Sequence, residues 1–471
     1  MPKRLRFRLS GGLGPAELER IHAQVLRVLA NVGIEVSHER WRTAAAAHPG
    51  VRQDGSRVYF APELGEEFVR RARSEHQAEP LCDEVTISGP WNCLNIVDME
   101  TDQIRPSTLS DVRQMLKLIH AARAGHICPV YPNDVPPGLQ ILALEKAAIE
   151  LTEGNGSQLE PSDYGTLEFI IAMYAAAGRR YHIEVQFPIS PLKTNPAGLE
   201  TIWRYKDRTD VEVTAAAAPI PQAGSTAPLF LPGGLVQAAA EALGSYILVR
   251  LVAGERVNCH PQYRLDLFDL KTTVTVYSSP MHILYQLCLK DVYEFYYRTP
   301  KPGHFVNCLA KRCDAQAVLE RTSYMLTLAL AGMRRFCLGA GQLSLDEVFC
   351  PVMFIVDQEI ARFITHIIRG VDYDERPDAA YEAIRSGVAE GNYFMHEATL
   401  ANMRQDFASD IFPRMSLGSY RGAGSPSFAR KAKDRALALI GSHDSRPPDG
   451  VMEEVERIYG KAVERVRSAG S

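Results

Sequence analysis

The chain has 471 residues, of which 46% are hydrophobic and 23% are charged, and its formal net charge is -4. This is the composition of a globular protein with enough apolar material for a large core. Because basic residues are spread along the chain without a block, neither nucleic acid nor a membrane surface is expected as a partner.

The N-terminal residues and the cysteines bear on the compartment. Residues 1–8 are basic but lack an apolar stretch, so no secretory signal is predicted. No apolar run is expected to reach the roughly 20 residues that span a bilayer. The nine cysteines are scattered without a Cys-x-x-Cys pair, which is typical of reduced thiols. We therefore predict a cytoplasmic protein.

The first part of the chain is a mixture of helices and short strands. Apolar residues at helical spacing predict an amphipathic helix over residues 14–33. A hairpin is predicted over 51–60, a helix over 62–74 and two strands within 85–99. Because these elements do not repeat, residues 1–115 are predicted to form an N-terminal α+β cap.

From about residue 126 the pattern becomes strand, loop and helix, repeated. The predicted strands cover residues 126–131, 181–187, 211–219, 256–262, 304–309 and 335–339. The predicted helices end near 152, lie within 153–179, and cover 196–206, 235–253, 280–297, 314–332 and 351–369. Such alternation implies parallel strands joined by right-handed crossovers. We predict a (β/α)8 TIM-type barrel over residues 116–370.

Two features of the architecture have alternatives. Seven or eight units over roughly 250 residues fit a closed barrel better than a doubly wound sheet. The doubly wound fold usually has a Gly-rich phosphate loop, and the sequence contains neither Gly-x-Gly-x-x-Gly nor a P-loop motif. Residues 371–471 are predicted to be a helical tail, which either packs on the barrel or forms the contact of a homo-oligomer.

Barrel enzymes carry their active sites on the loops that follow the strands. The candidates selected by this rule are Tyr131, Gln186, Phe187, Gln222, His260, Tyr263, Asn307, Gln342 and Glu347. This set is rich in amides and aromatic rings, which suits a small polar or cationic ligand. Cys259 beside His260 is far short of a metal-ligand set, and His126 stands alone. We therefore predict no metal bound by this chain.

Other interpretations of single residues remain open. A glycosidase would need two facing carboxylates, for which Asp134 with Asp346 or Glu347 are candidates. For Asp134 a helix-capping role is favoured, because two prolines follow soon after it, and this role does not exclude a place in the site. The aromatic residues over 293–297 end a helix and favour packing over a ligand cage.

Several segments, in order from about residue 20 to 465, are similar to those of one known family. They are Leu26–Ile34, Asp98–Asp111, Asp134–Pro137, Pro188–Leu192, Pro219–Pro228, Asp314–Ala317, Gly339–Gly341 and Asn392–Leu400. The most specific is Pro219-Ile-Pro-Gln-Ala-Gly-Ser-Thr-Ala-Pro228. Together these segments resemble the trimethylamine methyltransferase family, the corrinoid-linked demethylases of tertiary and quaternary amines.

The resemblance implies a reaction and a partner. In this family a methyl group passes from nitrogen to a Co(I) corrinoid on a separate protein, so no cofactor is expected to bind this chain tightly. The founding trimethylamine enzymes carry pyrrolysine. This sequence contains only standard residues, so it resembles the branch that demethylates quaternary amines such as betaines. It departs from the family pattern at residues 307–313 and at Gln186-Phe187, which leaves the substrate open.

The resemblance also suggests roles for the candidate residues. The ring residues would hold the ammonium group, and the amides with His260 would bind the polar end of the substrate. His396 would reach in from the tail as part of a lid, and Glu347 is the second candidate for a catalytic role. Capping of a helix is an equally good account of His396. An enzyme of the same ancestry that uses no corrinoid, and a non-catalytic amine-binding protein, are the two alternative functions.

Overall fold

The computed structural model describes residues 3–76, 82–89, 91–125, 127–153, 164–301, 303–373, 378–448 and 450–469. Its helices are α1 Pro15–Asn31, α2 Glu39–Ala46, α3 Pro62–Glu75, α4 Leu109–Ala121, α5 Gln140–Leu151, α6 Tyr164–Ala176, α7 Pro196–Tyr205, α8 Leu231–Ala253, α9 Pro280–Tyr297, α10 Ala315–Leu330, α11 Pro351–Arg369, α12 Ala379–Glu390, α13 Glu397–Asn402, α14 Leu417–Gly422, α15 Phe428–Gly441 and α16 Val451–Ala469.

The strands are short. They are β1 Lys3–Leu5, β2 Ile34–Glu35, β3 Val51–Asp54, β4 Arg57–Phe60, β5 Thr86–Ile87, β6 Asn95–Val97, β7 Ile104–Pro106, β8 Tyr181–Gln186, β9 Pro188–Ile189, β10 Lys193–Thr194, β11 Val211–Ala216, β12 Gln222–Ala223, β13 Asp266–Asp269, β14 Val274–Val276, β15 Gly303–Phe305, β16 Arg335–Cys337, β17 Gln342–Leu343, β18 Val348–Phe349 and β19 Val371–Tyr373. The molecule is therefore a mixed α/β structure.

Parallel pairing dominates the strands that precede the long helices. Strand β8 pairs in parallel with β11 along their full length, and Asn258 and Pro261 continue this ladder beside β11. A second parallel ladder has the order β15-β16-β5. In the described residues these ladders do not join into a continuous ring, so a closed barrel is not found. Strand β5, which lies in the predicted N-terminal cap, is a member of the second ladder.

Helix α11 runs antiparallel to strand β5, which it covers. The side-chain amide of Gln358 in α11 donates to the carbonyl of Ile87 at 3.0 Å. The backbone N–H of Val85, before strand β5, donates to Thr365 Oγ1 at 2.8 Å. The C-terminal half of α11 therefore lies at the amino end of β5. The loops that follow the strands are left at the opposite end of the sheet.

Helix α8 is a long apolar helix of the core. It has 23 residues, and an 18-residue window within it has a mean hydropathy of 1.4, which is long and apolar enough to cross a bilayer. The sequence-based expectation that no apolar run reaches this length was therefore wrong. However, 72% of the apolar window is buried inside the protein. Helix α1 packs across α8 at Gly244, where Leu29 and Ile34 lie close to the glycine.

The predicted helices of the chain agree closely with the observed ones, whereas several short antiparallel hairpins were not expected. Residues 256–262, predicted as a strand, contribute only the bridges at Asn258 and Pro261. The antiparallel hairpin β13–β14 extends the sheet that begins with β12. Another unexpected hairpin is β17–β18, and it joins β6 in parallel. His126 lies outside the described residues.

Candidate active site

Two opposite charges are buried together just beyond the strand segment that contains Asn258 and Pro261. Arg264 is 5% exposed and Asp266 is fully buried. Arg264 Nη2 lies 3.2 Å from Asp266 Oδ2. Asp266 opens strand β13 and pairs in parallel with Gln222 of β12. Because β13 is a parallel neighbour of β12, the buried ion pair lies among the loops at the end of the sheet where parallel α/β proteins bind ligands.

A histidine of α9 completes the surroundings of the carboxylate. His282 Nε2 lies 3.3 Å from Asp266 Oδ1, and the backbone N–H of Ser278 donates to His282 Nδ1 at 3.2 Å. Nδ1 accepts from Ser278, so Nε2 is the ring nitrogen that faces Asp266, and the side-chain amide nitrogen of Gln286 also lies 3.0 Å from it. Burial by itself raises the pKa of Asp266. The Arg264 charge and the His282 hydrogen bond outweigh burial, and the pKa falls far below its usual range.

Aromatic rings lie against this ion pair. The guanidinium carbon of Arg264 is 4.2 Å from the centre of the Phe305 ring. The Trp91 ring meets Phe305 edge-on, with the ring centres 6.0 Å apart. The Tyr277 hydroxyl donates to Asp266 at 3.5 Å. Trp91, Phe305 and Tyr277 are only half-buried, so parts of their rings remain accessible to a ligand.

Several buried polar atoms of this region have no hydrogen-bond partner within the described part of the chain. They are Trp91 Nε1, Arg264 Nε, His304 Nε2, Asn307 Oδ1 and Gln342 Oε1. Buried polar groups in proteins are almost always satisfied, so each such atom requires an explanation. Donors and acceptors are both present. A small ligand with an anionic or polar end, or ordered water, would satisfy them.

The loop that carries Gln342 is held by a second buried ion pair. Arg321 and Asp357 are both fully buried, with Arg321 Nη1 3.0 Å from Asp357 Oδ2. Asp357 accepts the N–H of Gly341 at 2.7 Å, and Arg321 donates to the carbonyl of Gly339 at 3.0 Å. Burial raises the pKa of Asp357 to about 6, although the Arg321 charge opposes the rise. The ion pair therefore holds the backbone of the Gln342 loop at both Gly339 and Gly341.

Two acidic side chains lie at the rim of this region, unlike the buried Asp266 and Asp357. Asp346 and Glu347 follow the Gln342 loop and are exposed. Partial burial raises the pKa of Asp346, and the Glu347 charge adds to the rise. Glu347 accepts a hydrogen bond from Ser344 Oγ at 3.0 Å. Asp134, the other carboxylate considered for a glycosidase, accepts the N–H of Leu109 at 2.7 Å. It therefore stabilises the N-terminus of α4.

The structure brings some of the predicted site residues to the buried ion pair. Gln222 is the strand partner of Asp266, and the carbonyl of Asn307 accepts Ser278 Oγ at 2.5 Å. Gln342 Nε2 approaches Cys93 Sγ at 3.7 Å, close to Trp91. The N–H of Tyr131 donates to the carbonyl of Cys93 at 2.9 Å.

Gln186 is exposed at the carboxyl end of β8. Its side-chain amide donates to the carbonyl of Ala218 at 2.9 Å. This hydrogen bond joins the ends of two adjacent strand segments. The residue therefore lies on the same edge of the sheet as the loops that carry the site.

Other predicted residues are placed elsewhere. Phe187 is fully buried in the core, where it packs beside Gly198 of α7. Tyr263 is 3% exposed and stacks on Tyr296 of α9, with the ring centres 5.1 Å apart. Both rings serve the packing of the core because neighbouring helices cover them. The predicted packing role of the aromatic residues over 293–297 is thus confirmed for Tyr296.

His260 lies in a separate small cleft. Its neighbours there are Glu75, His76, Tyr246 and Tyr297. Partial burial lowers the pKa of His260, and the nearby Arg250 charge adds to this effect. The cleft lies against helices α3, α8 and α9 and not beside Arg264.

His396 caps a helix of the tail. Its Nδ1 accepts the N–H of Ala398 at 3.2 Å, at the start of α13. Its ring meets Tyr393, with the ring centres 5.9 Å apart. The structure therefore shows the capping role that the sequence allowed, and the lid role of His396 stays a prediction.

Within the described residues, no group of three or more His, Cys, Asp or Glu side chains is arranged to hold a metal ion. Cys259, the cysteine considered as a ligand, is fully buried, and burial raises the pKa of its thiol to about 12. The side chain therefore remains a neutral thiol at neutral pH.

Sequence reasoning missed the centre of this site. The missed residues are Trp91, Arg264, Asp266, Tyr277 and His282. The sequence feature that could have revealed Arg264 and Asp266 is the alternation of charged and apolar residues in Arg264-Leu-Asp266-Leu-Phe, just after a predicted strand. It was overlooked because charged side chains are rarely buried, and the sequence does not show that each finds its counter-charge.

Comparison with known proteins places the whole chain in one family. Residues 6–456 match the model of the trimethylamine methyltransferase (MTTB) family. Trimethylamine methyltransferase MttB of Desulfitobacterium hafniense (strain DSM 10664 / DCB-2) is 24% identical over 480 residues, which cover 96% of this chain and 95% of that protein.

Two further relatives carry related names. A glycine betaine methyltransferase of Desulfitobacterium hafniense (strain Y51) is 24% identical, covering 83% of this chain and 84% of its own. Trimethylamine methyltransferase MttB1 of Methanosarcina acetivorans is 28% identical, covering 58% of this chain and 54% of its own. The resemblance expected from the sequence is confirmed: the chain is a methyltransferase and belongs to the trimethylamine methyltransferase family.

Proposed function

We propose that the protein removes a methyl group from a small quaternary amine such as a betaine and passes it to a corrinoid carried by a separate protein. The observation that carries the substrate assignment is the buried Arg264–Asp266 pair beside the Phe305 and Trp91 rings. This region offers aromatic rings, and within the described residues the Arg264 Nε–H has no hydrogen-bond partner. A betaine has a quaternary ammonium group and a carboxylate, which match these two kinds of group.

The ring faces would replace the hydration of the ammonium group. Each accessible aromatic face contributes roughly 0.5–2 kcal/mol to binding of a cation. The half-buried Trp91 and Tyr277 are the rings best placed for this role, since the face of Phe305 is already used by Arg264. The charge on nitrogen is lost as the methyl group leaves. A few neutral rings are therefore better suited than carboxylates, which would hold the substrate more tightly than the transition state.

Arg264 would orient the carboxylate of the substrate. Its Nε–H has no partner in the described residues, whereas its Nη2 is held by Asp266. Hydrogen bonds between a guanidinium and a carboxylate are among the strongest in proteins. Asn307 and Gln342, each with an unpartnered side-chain oxygen, would orient polar atoms or water around the substrate. Fixing the substrate at both ends would point one N-methyl group away from the protein, a geometry that lowers the barrier by several kcal/mol.

The methyl acceptor comes from outside the chain in this proposal. A docked corrinoid would supply the nucleophile that takes the methyl group. The leaving amine is neutral, so the chain does not need a general base, and the two buried acids described above, Asp266 and Asp357, are each paired with an arginine. Glu347, at the rim, would then contact the partner or solvent rather than the reacting atoms.

The proposal includes a closed (β/α)8 barrel in a cytoplasmic protein. Its support is the two parallel ladders, the antiparallel course of α11 over β5, and the site residues that follow the carboxyl ends of the strands. The cysteines of the chain are all free, as expected for a reducing compartment.

Ligand binding by wild type and one double variant tests the substrate assignment. The double variant Arg264→Met with Asp266→Asn removes both charges, so neither is left buried without its partner. Thermal unfolding with glycine betaine and with tetramethylammonium, which has no carboxylate, gives the two affinities. We expect wild type to prefer glycine betaine, and the double variant to lose about 10- to 100-fold of this preference.

The control separates recognition from folding. Tetramethylammonium binding should change little in the double variant, because the rings are retained. If the preference for glycine betaine survives the double substitution, Arg264 does not bind the carboxylate. If neither compound raises the unfolding temperature of wild type, the assignment of a quaternary amine is wrong.

A further inference from the structure

A lysine is buried near Arg264 without a carboxylate to neutralise it. Lys301 lies between α9 and strand β15 and is 8% exposed. Its Nζ is 5.2 Å from the centre of the Tyr293 ring. Its backbone N–H donates to Glu294 Oε1 at 3.4 Å, but this carboxylate binds the ammonium group of Lys290 at 2.8 Å. Within the described residues no carboxylate charge acts on the ammonium group of Lys301.

An open space inside the protein lies beside this lysine. Cys337 belongs to β16, the middle strand of the ladder β15-β16-β5, and it is exposed although a strand lies on each side of it. The neighbouring Phe336 is buried against Tyr324 of α10, so Cys337 points to the opposite face of the ladder. Burial raises the pKa of its thiol, and the positive charges of Lys301 and Arg264 oppose the rise. The thiol, the ammonium group and the guanidinium therefore lie close together.

The ionisable groups around Lys301 leave its charge without a partner. Burial lowers the pKa of Lys301 to about 8, the Cys337 thiol opposes the fall, and the Arg264 charge adds to it. The lysine is therefore mostly protonated at pH 7. Glu184 acts on Cys337 but is not among the groups that act on Lys301. Burial also lowers the pKa of His304, and the Lys301 charge adds to that fall, so this ring is neutral.

We infer that Lys301 is the second cation that recognises the anionic end of the substrate, beside the Arg264 Nε–H that has no partner within the described residues. The inference rests on the proposed function and narrows its substrate class to zwitterions, which carry a methylated ammonium group and a carboxylate in one molecule. The carboxylate supplies the negative charge that Lys301 lacks. The ammonium group is then left for the half-buried rings of Trp91 and Tyr277.

A simple quaternary amine does not meet the same need. It has no anion to neutralise Lys301, and its own positive charge is repelled by the lysine. Such repulsion is strong inside a protein, where the effective dielectric constant is far below that of water. Lys301 therefore selects zwitterions in two ways, by attracting their carboxylate and by repelling cations that lack one.

Affinities for glycine betaine and tetramethylammonium, obtained at pH 7 from thermal unfolding, test this inference. Lys301→Met removes the charge and keeps a side chain of similar length. We expect this variant to lose about 10- to 100-fold of the preference for glycine betaine, and to bind tetramethylammonium at least as tightly as wild type. Lys301→Arg should retain most of the preference. Without ligand, the unfolding temperature of Lys301→Met should not fall, because a buried charge without a counter-charge is removed.

Calorimetry separates recognition by Lys301 from a structural role. A carboxylate beside the ammonium group favours its charged form and raises its pKa. Because the pKa of free Lys301 is about 8, binding of glycine betaine at pH 8 should take up as much as about half a proton. Titrations in two buffers with different heats of ionisation measure this uptake. It should not occur with tetramethylammonium or in Lys301→Met.

The matched control is Lys290→Met, because Lys290 is 9% exposed but has a counter-charge in Glu294. This variant should lose stability and keep the preference for glycine betaine. If Lys301→Met keeps the preference while the Arg264→Met, Asp266→Asn variant loses it, the inference is wrong and the proposed function stands. Binding of glycine betaine to wild type at pH 8 without proton uptake would also overturn the inference. If wild type binds neither compound, the proposed function fails and this inference fails with it.

Discussion

At the scale of single residues, the site depends on charges that are buried together with their partners. An isolated buried carboxylate would take up a proton, yet Asp266 keeps its charge because Arg264 and His282 surround it. Such a pair adds little net stability, because desolvation of the two charges offsets their attraction. In the proposed function its value lies in holding a guanidinium at a fixed place, where the Nε–H has no partner within the described residues.

The depressed pKa of Asp266 predicts a specific pH dependence of stability. The group is protonated at higher pH in the unfolded chain than in the folded chain. Its contribution is therefore present above the ordinary pKa of 3.8 and is lost as the pH falls below it toward the folded pKa. The Asp266→Asn variant lacks this titration.

We expect the difference in the free energy of unfolding between wild type and Asp266→Asn to shrink steadily as the pH is lowered from about 5 to 3. Denaturant titrations at four or five pH values measure it. A difference that stays constant over this range would mean that Asp266 is not held as a charged partner of Arg264.

At the scale of elements, the helices could be predicted well because their apolar periodicity is long. Helix α1 was expected over residues 14–33 and is observed over Pro15–Asn31, and α9 was expected over its observed range. Short strands were harder to predict. The residues before the hairpin β13–β14 form no helix, and their pattern of apolar and polar residues is only a few residues long. The first residue of the hairpin is the buried Asp266. The site residues on it were missed for the same reason.

Glycine positions in helices provide a test of the packing between α1 and α8. A methyl group at Gly244 would meet Leu29 and Ile34, whereas one at Gly460 of α16 would lie in open space. Gly244→Ala should therefore destabilise the protein by about 1–3 kcal/mol because the core would be overpacked. Gly460→Ala should stabilise it by about 0.5–1 kcal/mol because alanine favours the helix.

Denaturant titration of both variants measures these two effects against wild type. The opposite signs matter more than the magnitudes, since the intrinsic preference for helix is the same at the two positions. If Gly244→Ala stabilises the protein as much as Gly460→Ala, then α1 does not lie against α8 at this glycine.

At the scale of the whole molecule, the sequence was sufficient to predict the family but not to locate the residues of the site. The family follows from segments spread along the chain, which the match over residues 6–456 confirms. The site depends on which loops meet in space. Phe187 and Tyr263 follow predicted strands, but the core covers them. Arg264 and Trp91, which are 173 positions apart in the chain, come within contact of the same Phe305 ring.

The central claim is that this chain presents a quaternary amine for methyl transfer to a corrinoid, and one assay tests it directly. The purified protein is mixed with glycine betaine and chemically reduced Co(I) cobalamin, and the absorbance of methylcobalamin is followed while dimethylglycine is quantified. We predict that methylcobalamin and dimethylglycine form in equal amounts, and that the Arg264→Met, Asp266→Asn variant is at least about 10-fold slower. Binding of glycine betaine without transfer of a methyl group to cobalamin, or transfer only when tetrahydrofolate is supplied, would contradict the claim.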